Sequence, residues 1–492
     1  MENRLIKSNI SSEAIGAIFI VVFVSLFILA NLTIGFVWPL YILAMTIGFT
    51  LSIVYPKSGL FAIVFLTMVF ERFFALQTFF IGKIEYKIYP LDILMIGIMI
   101  GIFVQYLFIK RIKLKKIDWV LISFIFLNAI YFITSAFIFK SDANLAFSSL
   151  KNYGFYSLFY FITLFLIRGE DDLKRLFKFF LAGGIAIVAF IIFGLLNGEG
   201  LWSQFTPLST TGVRTLAFTH GLYITLALFP VILYLIFTKN RNKWLYVLAA
   251  IWIIGIVGTM MRHLWIAIAG MFVVLYILLA KEKKAELRKV VLWFAIPLLA
   301  ISVFVLYAVF MSPQSSLSVF MGNTFGAVSQ RATSLASVSA DESFAWRSLV
   351  WKNAYEKFKA NPIFGIGTGQ KIYVESEDYK DFIEIRNIHN SYLAILIQLG
   401  FAGFGIFLYF VVKSVKNLIK SNGDSRHDFY KFSILSALGI YIISIPFQPY
   451  LETNLLAIFF WIALGLARAL PEIKFTQSNI RHGGSAKPNL TG

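Results

Sequence analysis

The chain has 492 residues, of which 59% are apolar and 17% aromatic. Only 14% are charged, against about 25% in an ordinary soluble domain. This composition excludes a soluble globular protein, because no soluble core could enclose so much apolar surface. The absence of cysteine excludes disulfides, thiolate metal sites and thiol nucleophiles. In a membrane protein, a formal net charge of +19 first indicates orientation, so we expect no nucleic-acid partner.

Apolar segments near or beyond the ~20 residues that cross a ~30 Å hydrocarbon layer recur along the chain. Each is predicted to be a helix, because backbone groups in the hydrocarbon need internal hydrogen bonds. The first segment is too long for a secretory signal and lacks a small-residue cleavage site, so we expect it to be retained. The segments fall at 13–33, 35–55, 58–80, 91–109, 118–139, 150–167, 173–196, 215–237, 244–259, 262–280, 289–311, 389–415, 428–447 and 451–470.

The predicted fold is an all-α, polytopic transmembrane helical bundle with about fourteen spans. Twelve spans remain the alternative, because the weak segments 35–55 and 244–259 could both be non-spanning without changing the side of the later loops. Lysine and arginine concentrate in alternate loops, and the positive-inside rule then places both termini in the cytoplasm. The predicted cytoplasmic cations are Lys57 and those within 110–116, 168–178, 239–243, 281–289 and 413–431.

Four regions follow from this topology: N-terminal helices (1–311), a large extracytoplasmic loop (312–388), C-terminal helices (389–470) and a polar cytoplasmic tail (471–492) that we expect to be disordered. The loop contains the stretch ESFAWRSLVWKNAYEKFKANP, whose apolar residues recur near helical spacing. It predicts an amphipathic helix lying against the membrane surface. The apolar positions are Trp346, Leu349, Val350, Ala354 and Phe358.

Ionisable groups at the outer membrane boundary are candidates for function, because charge near lipid is costly. Such groups are Arg214 before the eighth span, Arg262 and His263 in the turn before the tenth, Arg347 on the amphipathic helix and His389 at the start of the twelfth. Arginines at helix ends are often only anchors, and boundary histidines are often only polar caps. The functional alternative is a diphosphate site, since guanidinium groups bind phosphate oxygens bidentately. His389 would then be the general base.

Two further clusters carry weaker signals. The acidic run ESEDYKDFIE could bind a divalent cation, but its spacing matches no standard metal loop, so we interpret it as a charged, solvated face and expect no metal. Glu71 and Arg72 are adjacent near the outer part of the third span and either pair locally or line the site. The GIGTG sequence lacks the context of a phosphate loop and predicts a turn. The acidic run comprises Glu375, Glu377, Asp378, Asp381 and Glu384.

The stretch from Trp346 to about Tyr409 resembles the O-antigen ligase and polymerase family. It has an arginine on a helix, then NPIFGIGTGQ, a polar segment and HNSYLAILIQLGFAGFGIFLYF. Upstream, GVRTLAFTHG resembles the family's arginine-containing entry to a span. The turn TMMRHLW resembles its Ser-Arg turn, although Met261 stands in place of the serine. The spans before about residue 200 match only in hydropathy.

The resemblance implies metal-independent, inverting transfer of glycan from an undecaprenyl-diphosphate carrier to an acceptor hydroxyl, such as one of the lipid A core, at the outer face of the bacterial inner membrane. No cofactor is implied. His389 would be the base-like residue, and Arg214, Arg262 and Arg347 would bind the diphosphate. From their position at the predicted outer boundary, rather than from the resemblance, we add His263, Glu71 and Arg72 as accessory candidates.

We place ligase first among the family's activities, then repeat-unit polymerase, then protein oligosaccharyltransferase. A flippase for lipid-linked glycans is the alternative from another class. Transporters hold their substrates near the bilayer midplane, often between repeated halves. Here the candidate groups gather at one boundary and a single large loop breaks any symmetry, which favours the enzyme.

Overall fold

The computed structural model describes residues 11–74, 79–81, 84–86, 89–108, 118–197, 214–238, 242–311, 342–376 and 379–475, together with 322, 326 and 329. Each predicted apolar segment contains helix. The helices are α1 (Ser12–Ile34), α2 (Trp38–Val54), α3 (Pro56–Phe74), α4 (Pro90–Leu107), α5 (Trp119–Ile133), α6 (Ala143–Leu150), α7 (Phe159–Leu166), α8 (Glu170–Asn197), α9 (Phe218–Thr238), α10 (Lys243–Gly258), α11 (Arg262–Leu278), α12 (Lys281–Met311), α13 (Glu342–Phe358), α14 (Ser391–Lys420), α15 (Ser425–Ser444) and α16 (Ala457–Ala469). Two short hairpins are formed by β1 (Phe79–Ile81) with β2 (Ile84–Tyr86), and by β3 (Lys371–Ser376) with β4 (Tyr379–Glu384).

Seven helices of the described chain are long and apolar enough to cross a membrane: α1, α4, α5 with its π-helical extension to Ile138, α8, α9, α14 and α15. The helices α2, α3, α10 and α11 are apolar but shorter. These lengths and compositions confirm an all-α, multi-pass membrane protein. The count of about fourteen spans and the sidedness of the large loop stay predictions.

Helices from the N-terminal and C-terminal regions share one hydrophobic core. For example, the ring of Tyr160 after the π-helical segment 151–155 lies edge-on to Phe410 of α14, with 5.2 Å between the ring centroids. At the end of the described chain Ile473 is buried, and Phe475 stacks on Tyr430 at 5.9 Å. The packed structure therefore extends to Phe475, and the rest of the predicted tail lies outside the described residues.

A second, smaller core joins α13, the β3–β4 hairpin and the start of α14. On α13 the side chains of Val350, Ala354 and Phe358 are buried, which confirms the predicted apolar face. The hairpin was not predicted from the sequence. Its residues Ile372 and Val374 are buried against this helix. The helix therefore packs on protein, and its contact with the membrane surface stays a prediction.

The acidic run lies largely on this hairpin and forms ion pairs. Glu375 pairs with Lys380 across the strands at 2.5 Å, and Glu384 pairs with Arg386 at 2.6 Å. These pairs favour the charged-surface interpretation over a metal site. Glu377 and Asp378 lie outside the described residues.

The GIGTG segment runs alongside a break in α14 at Gly400, where the backbone has φ 67° and ψ −174°. The amide of Ile366 donates to the carbonyl of Ile397 at 2.9 Å, and the amide of Phe401 donates to Pro362 at 2.9 Å. Backbone groups freed by a break in a membrane helix need such partners. The glycines do form positive-φ bends as predicted, but the segment also docks into the break.

Cations from several loops predicted to be cytoplasmic meet at one end of the bundle. They line a charged cleft of about 830 Å³ together with acidic residues of α1 and α8. Lys57 pairs with Asp172 at 2.6 Å, and Arg426 pairs with Glu170 at 3.1 Å. Three of the loops that the charge pattern places on one side, around Lys57, 168–175 and Arg426, thus lie together in the fold.

If the charge pattern orients the protein, the two ends of α14 face opposite compartments. Single cysteines at the exposed positions Asp381 and Asn422 can be labelled selectively, because the chain has no cysteine of its own. In spheroplasts we expect an impermeant maleimide to label Asp381→Cys at once and Asn422→Cys only after the membrane is opened. The reverse order would contradict the orientation.

The break in α14 should tolerate only glycine at its centre. A Cβ at Gly400 would lie 2.2 Å from the carbonyl oxygen of Ile363, whereas one at Gly405 in the same helix meets nothing within 4 Å. We expect Gly400→Ala to destabilise the purified protein by roughly 1–3 kcal/mol. The matched control Gly405→Ala should keep the wild-type thermal unfolding midpoint, and equal midpoints for both variants would refute the close approach.

Candidate functional site

The turn between α10 and α11 places two of the predicted residues. Met260 has φ 55°, and the amide of Met261 donates to the hydroxyl of Thr259 at 3.3 Å. Arg262 and His263 are therefore the first two residues of α11 rather than loop residues. The His263 ring is buried, and its Nε2 shares a hydrogen bond of 2.6 Å with the Tyr450 hydroxyl.

Arg214 is held beside this turn by backbone contacts. The amide of the next residue, Thr215, donates to the carbonyl of Gly258 at 3.0 Å. Thr215 also lies close to two glycines that leave no room for a side chain. A Cβ on Gly258 would lie 2.0 Å from the Thr215 hydroxyl, and a Cβ on Gly194 would lie 1.9 Å from the Thr215 carbonyl oxygen. The entry to α9 thus lies against the ends of α8 and α10.

His389 was predicted to begin the span, but it lies just before the helix. The helix α14 begins at Ser391 with Asn390 as its N-cap, and His389 precedes it with φ 57°. This left-handed conformation is uncommon for a non-glycine residue and persists only where the surroundings impose it. Trp346 of α13 lies edge-on to the imidazole at 5.9 Å, and the indole of Trp351 donates to the carbonyl of Ile388 at 2.7 Å.

The predicted site residues lie together around His263. Arg214, Arg262, Arg347 and His389 all lie within electrostatic reach of its ring. The three arginines come from three separate elements, and their side chains are half-buried. The fold therefore gathers, at one end of the bundle, residues that are as far apart in sequence as Arg214 and His389.

The environment of His389 favours its neutral form. Burial lowers the pKa of His389, and the neighbouring Arg347 guanidinium lowers it further. The hydrogen bond between Nδ1 and the Gln448 side-chain oxygen, at 3.2 Å, acts in the opposite direction. A neutral imidazole has a free lone pair and can accept a proton.

The segment 445–456 between α15 and α16 completes the candidate site, and its part in the site was not predicted from the sequence. It contributes Gln448 to His389 and Tyr450 to His263. It also contains the buried Glu452, which accepts a hydrogen bond of 2.5 Å from the Tyr153 hydroxyl. A signal for Glu452 existed, since it is an acidic residue at a membrane boundary that the charge pattern places on the outer side.

Of the three accessory candidates, the structure describes the side chain of one. His263 is part of the cluster, whereas the side chains of Glu71 and Arg72 in α3 lie outside the described residues. Within the ranges that the structure describes, no group of three or more His, Asp or Glu side chains is arranged to hold a metal ion.

A comparison with protein families finds one match for this region. Residues 245–408 match the O-antigen ligase family. The match confirms the resemblance for the motifs within these residues, whereas GVRTLAFTHG lies before them. It supports a membrane enzyme of the ligase or polymerase type in cell-envelope polysaccharide synthesis. A comparison with curated proteins finds no match.

The O-antigen ligase segment, 245–408, contains Arg262, His263, Arg347 and His389. Arg214 precedes it, and the 445–456 segment follows it. The candidate site is therefore assembled from the matched segment and from parts of the chain on both sides of it.

The lowered pKa of His389 can be measured directly. By histidine ¹⁵N NMR of the purified protein, we expect His389 to titrate below the usual value of about 6.5. Since the Arg347 cation disfavours protonation, Arg347→Gln should raise the pKa of His389. The control Arg386→Gln, which removes a cation paired with Glu384, should leave it unchanged. An unaltered His389 titration in Arg347→Gln would show that the two groups do not interact.

Proposed function

We propose that this protein transfers glycan from a polyprenyl diphosphate, such as undecaprenyl diphosphate, to an acceptor hydroxyl at the outer face of the inner membrane. The observation that carries the proposal is that Arg214, Arg262, Arg347 and His389 lie near His263 at one end of the bundle. One short segment bonds to both histidines through Gln448 and Tyr450, and Trp346, which precedes Arg347, lies against the His389 ring. In this proposal both termini are cytoplasmic and the bilayer holds the polyprenyl chain.

Three arginines suit a diphosphate. A diphosphate bears several negative charges, and each guanidinium offers two parallel N–H donors to its oxygens without losing a proton. Burial among helix ends lowers the local dielectric, which strengthens these interactions. The arginines would hold the donor and stabilise the charge that develops on the leaving group.

The proposed step is a displacement at the anomeric carbon. The acceptor oxygen forms a new bond to that carbon as the bond from the carbon to the diphosphate oxygen breaks, with inversion. His389 takes the proton of the attacking hydroxyl. The polyprenyl diphosphate leaves with the bonding electron pair, and the proton then passes from His389 to solvent or to the released diphosphate. No metal ion takes part in this scheme.

Among acceptors we favour the sugar of a lipid A core or a similar glycolipid, because the matching family is described as O-antigen ligase. A growing repeat-unit chain or a protein hydroxyl would use the same step. Purified protein in nanodiscs, given lipid-linked glycan and each acceptor class in turn, separates these activities by the mass of the product. Movement of the donor across the bilayer without a new glycosidic bond would instead identify a flippase.

Replacing His389 tests the general base. A positioned base contributes about 10²–10⁴-fold, so we expect His389→Ala and His389→Gln to lose transfer by that factor while donor binding persists. Near-normal transfer by His389→Gln would leave His389 a structural residue.

Replacing Arg262 tests the diphosphate site. Arg262→Lys keeps the charge but loses the bidentate fork, so we expect transfer to fall in both Arg262→Lys and Arg262→Ala, and further in Arg262→Ala. The control Arg288→Ala, at an exposed position on α12, should behave like wild type. Full transfer by both Arg262 variants would refute the diphosphate role.

A further inference from the structure

Gln448 is the hydrogen-bond partner of His389. Its side-chain oxygen lies 3.2 Å from Nδ1 of the imidazole, and the residue is buried, with 7% of its surface exposed. A neutral imidazole carries one N–H, and an acceptor at Nδ1 places the hydrogen there. The other nitrogen, Nε2, then has the free lone pair.

The position of Gln448 is fixed by the segment around it. The Ser391 hydroxyl lies 3.3 Å from the backbone carbonyl of Gln448 and is also bonded to the carboxylate of Glu452. The amide of Leu451 donates to the same hydroxyl at 3.2 Å. Because Ser391 is the first residue of α14, two residues after His389, the helix start and the amide that faces the imidazole are tied together.

We propose that Gln448 is a positioning residue that sets the tautomer of His389, so that Nε2 is the nitrogen that takes the acceptor proton. Gln448 does not touch the reacting atoms in this scheme. The catalytic consequence rests on the proposed function, but the tautomer itself does not. Partners that orient a functional histidine are a recurring device, and their loss costs about 10- to 100-fold.

Titratable groups from other elements also face His389. Arg347 approaches from α13, and His263 interacts electrostatically from α11. Glu452 is bonded to the hydroxyl of Ser391, two residues after His389. A change at Gln448 therefore acts on a ring whose other neighbours stay in place, which makes the expected shifts interpretable.

The tautomer can be measured without any substrate. In ¹⁵N-histidine-labelled full-length protein, the His389 signals are assigned among the five histidines by their loss in His389→Gln. We expect the Nδ1–H tautomer in the wild type and a change toward Nε2–H in Gln448→Leu. An Nε2–H tautomer in the wild type, or an unchanged Nδ1–H tautomer in Gln448→Leu, would overturn the proposal.

A second variant, Gln448→Glu, keeps a hydrogen-bond acceptor opposite Nδ1 of His389. It therefore tests the proposal even if Gln448→Leu fails to fold. Gln448→Glu presents a carboxylate to Nδ1, which should preserve the tautomer and raise the pKa of His389 by about one unit or more. In Gln448→Glu the acid limb of the pH–rate profile should move to higher pH by the same amount. In Gln448→Leu, kcat should fall about 10- to 100-fold. A purely structural role would leave the acid limb of Gln448→Glu unmoved.

The matched control is Gln370, whose side-chain nitrogen donates to the Ser141 hydroxyl at 2.7 Å, away from the imidazole. Gln370→Glu and Gln370→Leu should change neither the His389 tautomer nor the acid limb, and equal shifts from these variants would overturn the proposal. If the tautomer responds to Gln448 as expected but the wild type forms no glycosidic bond, the positioning role stands and the proposed function falls.

Discussion

Two distant parts of the chain, at 152–153 and at Ser391, bond to Glu452, and the end of the bundle that holds the candidate site depends on these hydrogen bonds. Asn152 donates to its backbone carbonyl at 2.5 Å, and Tyr153 donates to its carboxylate at 2.5 Å. Ser391 bonds to the other carboxylate oxygen. A buried carboxylate is costly unless it is fully hydrogen-bonded, so these contacts need to form together. The placement of Gln448 and Tyr450 beside the two site histidines follows from them.

A second constraint acts through the backbone of α14. The break at Gly400 accepts the 362–367 segment, which connects α13 to the hairpin. Tyr131 of α5 reinforces the junction by donating to the carbonyls of Phe364 and Leu399. This docking fixes α13, with Arg347, against the helix that begins just after His389. Gly400, eleven residues after His389, thus helps to hold Arg347 near the imidazole.

Much of the candidate site could be predicted because charge near lipid is expensive. Arg214, Arg262, Arg347 and His389 stood out as ionisable groups at one membrane boundary, and the fold brings all of them near His263. Gln448 could not be found in this way, because an uncharged amide carries no such cost. Its role depends on facing an imidazole that is 59 residues distant in sequence.

The sequence by itself determined that the chain is a multi-pass helical membrane protein, because a long apolar segment has no other stable state in a bilayer. It also determined which ionisable residues to examine. Only the tertiary structure decided that the GIGTG segment docks into a broken helix, that a hairpin supports α13, and that the 445–456 segment completes the site. These features depend on contacts between residues distant in sequence, such as the carbonyls freed at Gly400, and a local pattern of residue types does not encode which distant group will satisfy them.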